Sequence, residues 1–253
     1  MRPLSFQLYT ARNFPPLSDA LHLVAKAGYT QVEGYGALYG DHDDNAVQAL
    51  KTDLDRNGLT MPTGHFSLDM LENKPDRAID VAKMLGIQTI YCPYVLPENR
   101  PTDAAGWKAF GARLQKASEK VRAAGLGFGW HNHDFEFAAL PDGTVPMDLI
   151  FEGGPDLEWE ADIAWVIRGG ADPLAWIDRY GDRITAVHVK DIAPAGENTD
   201  EDGWADVGHG TVDWKGLYAR LASTPAKTYI VEHDNPSDLA RLAERSIASI
   251  KTF

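Results

Sequence analysis

Thiols are nearly absent. Cys92 is the one cysteine in 253 residues, which excludes an intrachain disulfide framework and a thiolate cluster for zinc. Positive charge is scarce too: Lys and Arg number 24 against 37 Asp and Glu, a formal charge of −13. So acidic a mean field repels phosphate backbones, so no nucleic-acid partner is expected. No apolar run approaches the roughly 20 residues of a membrane helix. Met1-Arg2-Pro3 leads directly into an alternating apolar stretch, without the long apolar core of a signal peptide. The expectation is a cytoplasmic protein with no membrane partner, homo-oligomerisation being left open. Linkers, low-complexity tracts and charge blocks are also missing, so one domain over 1–253 is expected.

What is present is an ordinary globular composition, 44% apolar and 10% aromatic. Short apolar runs alternate with amphipathic stretches throughout. Strands are expected to begin at Leu4, Thr30, Leu59, Gln88, Leu126, Leu157, Ile184 and Thr228, with helices between them that often stop at glycine, as at Gly28, Gly86 and Gly125. Eight units of about 30 residues, each the size of a strand-helix-strand repeat, fill the chain. An open doubly wound sheet would alternate likewise. Yet no Gly-rich phosphate fingerprint follows the first strand, which reads Gln7-Leu8-Tyr9-Thr10-Ala11-Arg12. The expected fold is therefore α/β, a closed (β/α)8 TIM barrel. Its longest loop, Ala193 to Asp213, has the length of a lid or binding loop.

Reacting groups in such barrels sit at the C-terminal ends of the strands. Those ends carry Glu33, His65, Pro93, His131 with His133, Asp162, His188 with Lys190 and Asp191, and Glu232 with His233. Five histidines sort to these positions, leaving His22, His42 and His209 elsewhere. Asp162, His188 and Glu232 would converge at one mouth, joined by a ligand from the fifth strand. Two carboxylates with one or two imidazoles suit divalent Mn, Fe, Co, Ni or Zn, and suit Ca poorly.

The chain resembles the sugar phosphate isomerase/epimerase family, the xylose isomerase-like barrels that include the AP-endonuclease-like enzymes. The resemblance runs over nearly the whole chain. It is carried by Trp130-His131-Asn132-His133-Asp134-Phe135-Glu136-Phe137, Glu160-Ala161-Asp162-Ile163-Ala164-Trp165, His188-Val189-Lys190-Asp191 and Val231-Glu232-His233-Asp234, with Gly64-His65 at the third strand end. It implies one divalent metal, held by a fifth-strand ligand and by Asp162, His188 and Glu232. The family's usual fifth-strand ligand is glutamate; His131 stands at that place, with Glu136 folding back from the loop as the alternative. Manganese is expected first, with Co, Zn, Fe, Ni or Mg as substitutes. Endonuclease members place a histidine three residues after the sixth-strand aspartate. Trp165 is there instead, which argues against a multinuclear phosphodiesterase centre.

The implied activity is isomerisation or epimerisation of a sugar by proton abstraction beside a carbonyl, through a metal-stabilised enediolate. Elimination from a keto-sugar on the same site is the alternative; a repair endonuclease or a non-catalytic sugar-binding barrel ranks lower. Glu232 is the first candidate base, with His133 or Glu136 on the opposite face and Lys190 neutralising an oxyanion. His65, His209, Trp165 and Glu33 are candidate substrate contacts, Glu33 alternatively pairing with Arg12. Tyr9, Tyr94, Phe66 and Trp165 are candidates for a wall on which a pyranose stacks. Glu160 should point inward with Asp162 by strand alternation, its default role being ion pairing. The expected partner is a small sugar or keto-sugar, unphosphorylated because no Arg/Lys cluster marks the strand ends.

Overall fold

The computed structural model describes residues 3–253. Eight parallel strands close into a barrel: β1 (Leu4–Gln7), β2 (Gln31–Gly34), β3 (Thr60–His65), β4 (Thr89–Cys92), β5 (Gly127–His131), β6 (Glu158–Asp162), β7 (Ile184–Val189) and β8 (Thr228–Val231). Each pairs with its neighbours in sequence, and β8 returns to β1 with Leu4 opposite Tyr229 and Phe6 opposite Val231. The chain is a (β/α)8 TIM barrel.

The strands are short, four to six residues, and almost wholly buried, as parallel strands covered on both faces must be. Alternation sorts their side chains. Val187 and Val189 turn outward to the helices, while Ala186 and His188 turn into the lumen. The interior is layered. Tyr91, Ala186 and Ile230 form an apolar floor; Glu33, Glu160 and His188 lie above it, and Asp162, Lys190 and Glu232 stand at the mouth, all buried.

Helices wrap the outside. α1 (Leu17–Ala27) buries Ala20, Leu21 and Val24 and stops at Gly28, whose φ of 109° suits glycine alone. It is followed by α2 (Asp44–Arg56), α3 (Leu68–Asn73), α4 (Pro75–Leu85), α5 (Ala104–Ala123) and α6 (Pro146–Gly153). α5 and α6 approach closely because Gly111 and Gly153 face the partner backbone: a Cβ on Gly111 would stand 2.2 Å from the Ile150 carbonyl oxygen. α7 (Ile163–Arg168), α8 (Pro173–Tyr180), α9 (Trp214–Leu221) and α10 (Leu239–Ile250) complete the shell. Among the described residues, no helix is long and apolar enough to cross a membrane.

Three features depart from the sequence reading. β1 ends at Gln7, and Leu8–Ala11 coils into a 3-10 turn as the Gln7 side chain accepts from the Tyr9 amide. α7 springs directly from β6 because the Asp162 carboxylate caps it, accepting from the Trp165 amide at 3.0 Å. The excursion after β7 holds an antiparallel ribbon, Asp191–Ile192 against Trp204–Ala205. Asp191 ties its base down by accepting from the amides of Ile192, Gly208, Gly210 and Val212.

Candidate metal centre

The C-terminal ends of the strands open into a cavity of about 590 Å³. His65, His131, His133 and Glu232 line it on the polar side, Tyr9, Tyr35, Tyr94, Phe135 and Trp165 on the aromatic side.

At its base His131, Asp162, His188 and Glu232 each offer one ligand atom, and all four atoms lie within 4.8 Å of one another. His188 Nδ1 stands 2.7 Å from Glu232 Oε2 and 4.0 Å from Asp162 Oδ2. Asp162 Oδ1 is taken by the α7 cap, while the buried Oδ2 makes no hydrogen bond and has the Lys190 ammonium 3.2 Å away. A carboxylate oxygen without a hydrogen bond, beside two imidazoles and a second carboxylate, is a mixed oxygen and nitrogen donor set of the kind that a divalent cation of the Mn-to-Zn series takes. The donor set fits such an ion. A second set, His65, His131, Glu160 and His188, lies deeper and shares two of these rings.

The deeper layer is closely bonded. Glu160 Oε2 lies 2.6 Å from His65 Nε2, 3.0 Å from His131 Nδ1 and 3.3 Å from His188 Nε2. Glu33 Oε2 lies 2.7 Å from His188 Nε2, 3.2 Å from His65 Nε2 and 2.7 Å from Gln7 Nε2, which donates to it.

Burial and charge pull these groups apart. Desolvation pushes Glu33 up to about 7 and Asp162 up to about 6. Burial would also raise Glu160 and Glu232, but the facing cations, His188 and His65 for the first, Lys190 and His188 for the second, hold both well below the usual carboxylate range. Burial would lower His188, yet Glu160, Glu232 and Glu33 raise it well above an ordinary imidazole. Burial, then the charge of His188, depresses His131 to about 3. His133 falls well below its ordinary value through burial and His131, which leaves it neutral at pH 7.

Lys190 is fully buried, its Nζ 2.9 Å from Glu232, 3.0 Å from Asp234 and 3.2 Å from Asp162. His133 Nδ1 is buried and unpartnered, its ring 5.0 Å from Tyr94 and 5.4 Å from Trp165. His65 and Trp165 both line the cavity.

Four sequence expectations need correction. Glu136 does not fold back toward the ligand set: its carboxylate accepts from Trp130 Nε1 and from the His133 amide, both at 2.9 Å, and is fully buried behind the loop. Glu33 does not pair with Arg12, which bonds the Tyr9 carbonyl and lies 3.9 Å over the Tyr9 ring. His209 is turned from the mouth to a separate pocket lined by Glu201, Asp206, Arg241 and Arg245, because the Asp191 turn carries it toward Ser249. Phe66 is wholly buried, stacked on Tyr39 rather than lining the cavity. Tyr9 and Tyr94 do line it, about two-fifths exposed.

The sequence reading passed over Asn132. Its Oδ1 accepts from Trp159 Nε1 at 2.8 Å and from the Asp162 amide at 3.0 Å, while Nδ2 donates to the Asp162 carbonyl at 3.1 Å. It thereby pins the Asp162 backbone to the end of β5. Its place between two strand-end histidines was the available signal.

The family model described as a xylose isomerase-like TIM barrel matches residues 21–253. No curated protein matches the sequence. Among solved structures, a sugar phosphate isomerase/epimerase from Parabacteroides distasonis superposes with a TM-score of 0.82 at 21% identity, covering 99% of this chain and 93% of that one. The probable 3-DHS dehydratase AsbF of Bacillus anthracis gives 0.77 at 13%, covering 98% of each chain. A xylose isomerase-like TIM barrel protein from Mycobacterium smegmatis in complex with magnesium gives 0.74 at 14%, covering 99% and 96%. At such identities these likenesses establish the fold alone.

Proposed function

Because the chain belongs to the xylose isomerase-like TIM barrel family, we propose that it is a divalent-metal-dependent isomerase or epimerase acting on a sugar beside its carbonyl. The observation that carries this reading is the convergence of four donor atoms within 4.8 Å at the barrel mouth. His131, Asp162, His188 and Glu232 would hold the cation. When bound, it supplies electrophilic stabilisation of the negative charge that develops as the carbon next to a carbonyl loses its proton.

The chain's own groups do the rest. His133 lines the cavity and its Nδ1 has no protein partner, so it is placed as one proton carrier. Glu232 lines the same cavity and is the second proton carrier. Two carriers on opposite faces of one carbon give epimerisation; one carrier serving adjacent carbons gives isomerisation. Lys190, buried and held by three carboxylates, fixes Glu232 and Asp162 in place from behind the cavity wall. Tyr9, Tyr94 and Trp165 supply apolar surface for the ring and keep water from the reacting carbon. The arginine in the lining, Arg100, is engaged by the Tyr94 hydroxyl and the Phe135 ring, so the substrate proposed is unphosphorylated. Elimination from a keto-sugar is the second reading, since the same cation and proton carrier would serve it wherever a leaving group lies β to the carbon that loses its proton.

The test combines metal analysis with proton NMR in deuterated water over a panel of ketoses and 3-keto-glucosides. Metal-dependent deuterium wash-in at one carbon supports the reading, and loss of a β substituent after wash-in selects the lyase. Purified protein that binds no divalent ion, or that exchanges equally well when stripped, overturns it.

A further inference from the structure

A neutral imidazole has one N–H, so whatever accepts that proton decides which nitrogen is left bare to ligate. His131 Nδ1 stands 3.0 Å from Glu160 Oε2, and His188 Nε2 stands 2.7 Å from Glu33 Oε2. We propose that Glu160 and Glu33 are positioning residues for the cation, Glu160 taking the Nδ1–H of His131 and Glu33 the Nε2–H of His188. His131 then turns Nε2 to the ion, and His188 turns Nδ1, the atom already beside Glu232.

This rests on the metal reading above and adds to it two residues outside the ligand set. The geometry supports the pairing in three ways. First, both carboxylates and His188 are wholly buried, so no bulk water competes for either N–H. Second, the two acids would repel each other, but the His65 ring lies between them, Nε2 at 2.6 Å from Glu160 and 3.2 Å from Glu33, and Gln7 donates to Glu33. Third, the His65 ring stacks on His188, centroids 5.6 Å apart and planes 11° from parallel, which limits rotation of the ligating ring. An acceptor for the far N–H also makes each imidazole a stronger donor to the ion.

The competing arrangement is a second ion in the deeper set of His65, His131, Glu160 and His188, where Glu160 Oε1 and Glu33 Oε1 lack partners. Filling both seats needs both nitrogens of both shared rings bare. That would remove the protons that join the rings to Glu160 and Glu33.

The test uses the full chain with cobalt(II) alone as probe, read by chelator competition and by the visible absorption of the bound ion. Wild type should take one cobalt. Glu160→Gln should weaken binding by roughly 10- to 100-fold and shift the cobalt bands. In a His131→Ala background the same change should cost far less, because the shorter of its two contacts with a ligating ring is gone. Glu33→Gln reads the His188 arm independently and decides the matter if Glu160→Gln does not fold. A folded variant with unchanged affinity and spectrum would mean that these carboxylates serve packing alone and would overturn the proposal, as would two cobalt ions per wild-type chain. Wild type that takes none overturns the metal reading itself, and this inference with it.

Discussion

Lys190 Nζ and Glu232 Oε2 stand 2.9 Å apart, the lysine without any solvent exposure. The same ammonium touches Asp162 and Asp234, so one buried cation balances three acids. Lys190→Met should destabilise the metal-free protein by about 3 kcal/mol or more, the usual cost of leaving buried charge unpaired. Urea unfolding checks this. Saturating divalent metal should narrow the loss, since the ion shares Glu232 and Asp162 with the lysine. A metal-free variant as stable as wild type would contradict the assignment.

Asn132 holds the Asp162 backbone through two hydrogen bonds and Trp159 through a third. Asn132→Ala leaves those groups buried without partners, at a cost of about 3 kcal/mol. Its metal occupancy should fall as it does in Asp162→Asn. Thermal melting and metal analysis of the two variants give the comparison; Asp162→Asn with full occupancy would remove Asp162 from the ligand set.

Glu232→Gln should abolish substrate deuterium wash-in, a loss of at least about 100-fold, whereas His209→Ala should leave it at the wild-type rate. The contrast follows from position alone: Glu232 lines the mouth, and His209 lines the neighbouring pocket beside Ser249. NMR exchange rates on the two variants test both halves, and a silent Glu232→Gln would end its role as proton carrier.

Glu201 fastens the excursion after β7 to α10. Burial works to raise its carboxyl, but hydrogen bonds from Ser237 and Arg241 outweigh that and hold it down to about 2. A depressed acid contributes stability in full above its unfolded value of roughly 4.3 and loses it as pH falls through the folded value. The excursion should therefore loosen between about pH 4 and pH 2, seen as faster amide exchange at 199–206 after correction for intrinsic rates. Glu201→Gln at neutral pH should reproduce the loosening, and unchanged protection in both cases would disprove it.

Much of the barrel was legible because its signals are local: an apolar run of strand length, then an amphipathic stretch, then glycine. The closed topology follows once eight such units fill the chain. α7 escaped notice because its start depends on a carboxylate, that of Asp162, which also reads as a strand end. At the site, strand ends pointed to His131, Asp162, His188 and Glu232, which the fold brings within reach of one another. What sequence position could not reveal was direction. Glu136 is two residues from Asp134 in the cavity wall, yet its carboxylate turns back to Trp130. The contacts of Glu33 with His188 and of Glu160 with His65 cross the lumen, and nothing local predicts which imidazole meets which acid.

Those crossings carry a consequence for assembly. Candidate donors come from β5 onward, while the acid and the ring that brace them, Glu33 and His65, come from β2 and β3. Neither half of the polypeptide owns a finished seat. An ion held as proposed would find its seat complete only once Thr228–Val231 has zipped against Leu4–Gln7, so severed halves of the chain should capture metal only after they reunite.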